Sequence, residues 1–250
     1  MTNLPTTRIA MWSGPRNIST ALMRSFENRR DCSVIDEPLY GYYLKSTGFI
    51  HPASEDIIAS MDCDWRSVAH SLSKGLDQAR PVVYQKLMTQ HMLPEVELDF
   101  SDRLENCFLI REPRRIIASY CKVRPEFTLE ELGFPQQWQL FQRVADRTGC
   151  APPVIDSSAV LKAPEENLRA LCGALNLEFS PRMLNWPAGE RDSDGVWAPH
   201  WYDAVRCSTG FEAVQETPLD EVQIPQQYES LCEQADRIYE GLHPHVLVTA

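Results

Sequence analysis

A chain of 250 residues, 43% hydrophobic and 24% charged, can bury a full core, which predicts one globular α/β domain over residues 1–250. Its formal net charge of −11 excludes nucleic acid and polyanionic glycans as natural partners, so an anionic ligand needs a local basic pocket. Eight cysteines, at 32, 63, 107, 121, 150, 172, 207 and 232, form no Cys-x-x-Cys pair and no cluster with histidine, which predicts free thiols and no bound metal. The N-terminus has no basic segment followed by an apolar run, and no stretch approaches a membrane span. Together these features predict no membrane contact and a reducing cytoplasm.

The first predicted strand, 9–12, runs through a tight Gly14-Pro15 turn into an amphipathic helix over 18–29. Such a strand-loop-helix aims backbone N–H groups and a helix N-terminus at one spot, a ready anion site. Arg16 adds a fixed positive charge there, and Ser19 and Thr20 add hydroxyls. This is not a Walker A loop, because the second glycine position counted from Gly14 holds Ser19 and no lysine follows.

A strand over 32–35 ends at Asp36-Glu37-Pro38, and a helix is predicted over 64–79. The strand over 82–85 is followed by Lys86 and His91, and the strand over 107–110 by Arg111. No magnesium-holding carboxylate stands after that fourth strand, unlike in an ATPase. Helices follow over 113–123, 135–147, 164–175 and 225–241, each with proline at its first turn, and a strand over 153–155. Thr128-Leu-Glu-Glu131 has the spacing of a capping box and predicts a further short helix. The alternation predicts a mostly parallel sheet of about five strands flanked by helices on both faces. Ligands of such sheets gather at the carboxyl ends of the strands. Residues 13–20, Asp36, Glu37, Lys86 and Arg111 then share one rim.

Arg111-Glu-Pro-Arg114-Arg115 leads into a helix carrying Ser119, about 9 Å along the axis from Pro113. The arginine and the serine hydroxyl either meet around one oxyanion or belong to a surface ion-pair cluster with an incidental serine. With the anion loop, this element makes the chain resemble the P-loop-like sulfotransferases that use 3′-phosphoadenosine 5′-phosphosulfate (PAPS). In that family a Pro-Arg/Lys-Ser/Thr-Gly-Thr/Ser-Thr loop holds the 5′-phosphosulfate, and Pro15-Arg16-Asn17-Ile18-Ser19-Thr20 matches it. Arg111 and Ser119 have the eight-residue spacing of the pair that holds the 3′-phosphate. A late strand followed by Pro-Glu-Glu-x-Leu, here 154–155 and 164–177, is also similar to the family, so the likeness spans about 8–180. Asn17 and Ile18 depart from the pattern, which normally has a small hydroxyl residue and a glycine there. Either the loop path differs or the chain belongs to a divergent subgroup.

The resemblance implies a P-loop NTPase-like sulfotransferase fold and sulfuryl transfer from PAPS to a hydroxyl or amine of a small-molecule acceptor. Gly14, Pro15, Arg16, Asn17, Ile18, Ser19, Thr20, Arg111 and Ser119 would bind the cofactor, with Arg16 stabilising the leaving phosphate. Glu37 is the first choice of base, because carbohydrate-type members carry Glu-Pro at this place. Lys86 and His91 are rivals, and His91, set among Met88, Met92 and Leu93, reads equally as a packed, hydrogen-bonded histidine. The aromatic segment 194–210 offers Trp197, Trp201 and Arg206, either to cover the adenosine or to hold the last helix. Two other classes stay open: a kinase or hydrolase with a degenerate loop, and a non-catalytic nucleotide-binding protein.

Overall fold

A computed structural model describes residues 6–74, 80–212 and 217–248. Five strands, β1 (Thr7–Ser13), β2 (Cys32–Asp36), β3 (Val82–Met88), β4 (Glu105–Ile110) and β5 (Val154–Asp156), form one sheet in the order β2-β3-β1-β4-β5. Every pairing is parallel. The helices are α1 (Ser19–Glu27), α2 (Tyr40–Thr47), α3 (Ser54–Ser60), α4 (Trp65–Lys74), α5 (Pro113–Tyr120), α6 (Phe134–Thr148), α7 (Ser157–Lys162), α8 (Pro164–Ala174), α9 (Ala198–Trp201), α10 (Asp203–Cys207) and α11 (Glu229–Leu242).

Strand periodicity explains the two cores. Ile9 and Met11 point to one face, where they join Leu22 and Phe26 of α1 and Leu168 and Leu171 of α8. Ala10 and Trp12 point to the other, with Val68 of α4, Phe141 of α6 and Leu242 of α11. Both faces of a parallel sheet must be covered, so its strands read as nearly continuous apolar runs. The chain leaves β1 toward β3 and β2 on one side and toward β4 and β5 on the other. The carboxyl end of β1 is therefore the crevice where a ligand fits.

Proline occupies the first turns of α5, α6 and α8, as read from the sequence. Pro225 instead precedes a 3-10 turn, Gln226–Tyr228, and α11 begins only at Glu229. The capping box closes reciprocally, Thr128 N–H to Glu131 Oε2 at 2.9 Å and Glu131 N–H to Thr128 Oγ1 at 3.3 Å. It makes a turn and no helix, because Gly133 (φ 74°) reverses the chain before α6. The helix predicted over 64–79 is seen as α4, and its last five residues lie outside the described residues. All eight cysteines are free thiols. Among the described residues, no helix is long and apolar enough to cross a membrane.

Candidate functional site

The loop after β1 turns at Arg16, whose φ of 57° is left-handed. Ile18 has φ −83° and ψ 20°, a backbone that any residue adopts, so it needs no glycine. Asn17 pins the loop: Nδ2 donates to the Leu109 carbonyl at 3.2 Å, while Oδ1 accepts from Ile18 N–H at 3.0 Å and from the Ser157 hydroxyl. Gly14 serves by close approach, since a Cβ there would lie 2.7 Å from the Leu132 carbonyl oxygen. It does not line the cavity described below. α1 has no side-chain cap at Ile18, which leaves its first N–H groups facing that cavity.

Arg16 Nε donates to Ser119 Oγ at 2.9 Å, and Arg111 Nη1 donates to the Arg16 carbonyl at 2.9 Å. The loop and the basic strand end, 95 residues apart, thus meet at one place. Burial lowers the pKa of the Arg16 guanidinium and nearby Tyr120 raises it; arginine stays a cation throughout. Arg114 and Arg115 turn away, Arg114 to Glu229 at 2.6 Å and Arg115 to Glu112 at 3.5 Å.

A cavity of about 440 Å³ joins this cradle to the ends of β2 and β3. Asp36 stands opposite Lys86 in the β2–β3 register, which puts their side chains on one face. Lys86 Nζ donates to Asp36 Oδ1 (3.0 Å), Glu37 Oε1 (2.7 Å) and the Tyr202 hydroxyl (2.6 Å). All three ammonium protons are committed. Lys86 is 1% exposed; burial lowers its pKa, but Asp36 and Glu37 outweigh that and hold it well above the usual lysine range. Burial raises the Glu37 carboxyl, Lys86 opposes, and Asp36 adds to the rise. Glu37 also sits at φ 43° with its N–H on the Lys86 carbonyl at 3.1 Å.

His91 lines the same cavity, 1% exposed, stacked on Tyr40 at 5.0 Å with its Nδ1 unbonded. Burial, His51 and Lys86 drive its pKa well below the usual range, so it is neutral. Trp197 and Arg206 are not at the cavity. Trp197, 3% exposed, donates Nε1–H to the Tyr202 hydroxyl at 3.1 Å, and Arg206 turns out to Glu190. The short helices α9 and α10 instead bring Trp201 and Val205 to it, and Tyr202 between them reaches it too.

Sequence reasoning missed Tyr40, His51, Arg124 and Tyr202, which all line the cavity. Two local signals mark some of them: the aromatic run Tyr40-Gly-Tyr-Tyr43, directly after Glu37-Pro38, and the aromatic segment 194–210, which holds Tyr202.

A parallel α/β sheet with a strand-loop-helix anion cradle at its carboxyl rim, facing a carboxylate–lysine cluster, defines a P-loop-like group-transfer fold. Residues 7–241 match the sulfotransferase domain family, and the chain belongs to it. The sulfotransferase domain of the Synechococcus PCC 7002 olefin synthase superposes with a TM-score of 0.59 at 13% identity, covering 96% of this chain and 97% of that one. The sulfotransferase domain from the curacin biosynthetic pathway gives 0.54 at 17% identity, covering 97% and 99%. At such identities the likeness concerns the fold. Two Arabidopsis thaliana proteins, branched-chain-amino-acid aminotransferase-like proteins 1 and 2, are 36% and 34% identical over 238 residues, 95% of this chain. The chain spans 42% of the length of each of these relatives.

Proposed function

We propose that this chain moves a sulfuryl group from PAPS to a hydroxyl, or an amine, of a small-molecule acceptor. The observation that carries this is one cavity lined by both the Arg16–Ser119–Arg111 cradle and Glu37. The donor, when bound, supplies an activated sulfur–oxygen bond to a phosphate. The cradle suits an anion: the uncapped first turn of α1, two guanidinium groups and a hydroxyl converge there. Arg16 would meet negative charge as it grows on the leaving phosphate. Glu37 would take the acceptor's proton as the new sulfur–oxygen bond forms and the old one breaks. Burial raises its pKa, which makes the carboxylate a stronger base than one in water. Free thiols throughout support a reducing cytoplasm as the place of work. The net charge of −11 supports a small molecule over a polyanion as partner.

Adenosine 3′,5′-bisphosphate without metal is expected to raise the melting temperature. At 100 times its Kd it adds about 2.7 kcal/mol of stability. A shift with magnesium ATP and none with the bisphosphate overturns the reading in favour of a kinase or hydrolase.

A further inference from the structure

Arg124, His51 and Tyr40 form a hydrogen-bonded chain along one wall of the cavity. Arg124 Nη1 lies 2.8 Å from His51 Nε2, and His51 Nδ1 lies 2.7 Å from the Tyr40 hydroxyl. A guanidinium has donors only, so Arg124 donates and Nε2 accepts. Burial and the Arg124 charge push the His51 pKa down to about 4, so the ring is neutral and holds one proton. That proton sits on Nδ1 and is donated to the Tyr40 oxygen. The Tyr40 O–H must then point elsewhere. Among the described residues its hydroxyl has no hydrogen-bond acceptor, and neighbouring Trp201 offers only an N–H donor.

Arg124 is itself held in place. Its Nη2 meets Glu131 Oε1 at 2.9 Å, and the other Glu131 oxygen closes the 128–131 turn. Tyr40 begins α2 one turn after Glu37, its N–H on the Glu37 carbonyl at 3.0 Å. Donor and base therefore face the cavity from adjoining backbone.

We infer that Arg124 and His51 aim Tyr40 as a hydrogen-bond donor into the cavity, selecting an acceptor substrate with a neutral hydroxyl. Such an oxygen accepts the Tyr40 bond through a lone pair and yields its own proton to Glu37. An ammonium has protons and no lone pair, so it fails the first requirement. The substrate class rests on the sulfuryl-transfer reading, while the proton arrangement stands without it. Tyr40 touches the substrate; His51 and Arg124 are positioning residues.

The test uses the full chain with 15N-labelled histidine. Long-range 1H–15N spectra are expected to show His51 protonated on Nδ1 in the wild type and in Arg124→Lys, which retains a pure donor. In Arg124→Met the proton moves to Nε2, because Tyr40 then donates to the bare Nδ1. A wild-type ring protonated on Nε2, or an Arg124→Met ring identical to wild type, overturns the inference. With adenosine 3′,5′-bisphosphate added, 19F relaxation is followed for 2-fluoroethanol and 2-fluoroethylammonium. The alcohol is expected to bind in preference, and to weaken about 2- to 10-fold in Tyr40→Phe and Arg124→Met but not in Arg124→Lys. Equal response of the two probes, including none from either, overturns the selection of a neutral hydroxyl. Failure of the bisphosphate to stabilise the protein would sink the sulfuryl reading alone and leave the His51 tautomer standing.

Discussion

At the scale of single residues, Glu37 combines backbone strain with a largely buried carboxyl at the cavity wall. Its left-handed φ costs about 1–2 kcal/mol, and the Lys86 carbonyl and ammonium together hold it there. A base is inactive when protonated, so transfer is expected to fall on the acid side of its raised pKa. Glu37→Gln keeps the shape and removes the proton acceptor. Turnover should drop about 10²–10⁴-fold and that acid limb should vanish, while bisphosphate binding persists. His91→Asn is the control: buried, neutral, stacked on Tyr40 and tilted against Tyr43, it should leave the limb in place. Single-turnover transfer measured across pH decides between them, and the opposite pattern makes histidine the base. Glu37 was legible because it follows a strand end, whereas Lys86, expected just after a strand over 82–85, lies inside β3, which runs on to Met88. Tyr40, His51 and Arg124 were not legible, because they act through side-chain bonds between distant segments; Arg124 and His51 are 73 residues apart.

At the scale of elements, the segment before α9 is clamped to α1 by a buried ion pair. Arg24, 1% exposed, donates to both Asp194 oxygens at 2.6 and 2.7 Å and to Glu27 at 3.2 Å. This clamp sets the start of the chain that delivers Tyr202 to Asp36 and Lys86. Asp194→Ala leaves the buried Arg24 guanidinium with Glu27 alone and should cost about 1–3 kcal/mol in urea unfolding. The double variant Arg24→Met/Asp194→Leu removes both buried charges of the pair, with Glu27 keeping Arg191 at 3.6 Å, and should recover much of that loss. Double-variant stability no better than Asp194→Ala would show that packing in this segment, and not the pair, holds it.

At the scale of the whole molecule, two histidines make the fold sensitive to acid, His91 fully buried and His51 half-buried. Their folded pKa values lie below the ordinary 6.5, His51 at about 4 and His91 well below the usual range, both chiefly through burial. The unfolded chain then binds more protons than the folded one. Their contribution is complete above about pH 6.5 and is lost as pH falls toward 4. His91→Phe should flatten the fall of unfolding free energy between these limits, read from urea midpoints at stepped pH. An unchanged slope would mean that His91 titrates alike in the folded and unfolded chain. What the sequence determined by itself was the layered frame and its rim. Apolar runs, prolines and strand-end polar residues are local signals, and a parallel sheet has few ways to bury them. Only the tertiary structure decided that the loop turns at Arg16, that Arg16 meets Ser119, and that Trp197 and Arg206 stand away from the cavity. It also decided that Tyr202 reaches Asp36 across 166 residues. Such contacts come from irregular segments that follow no hydrophobic period, so they form only once the packed sheet has brought its rim together.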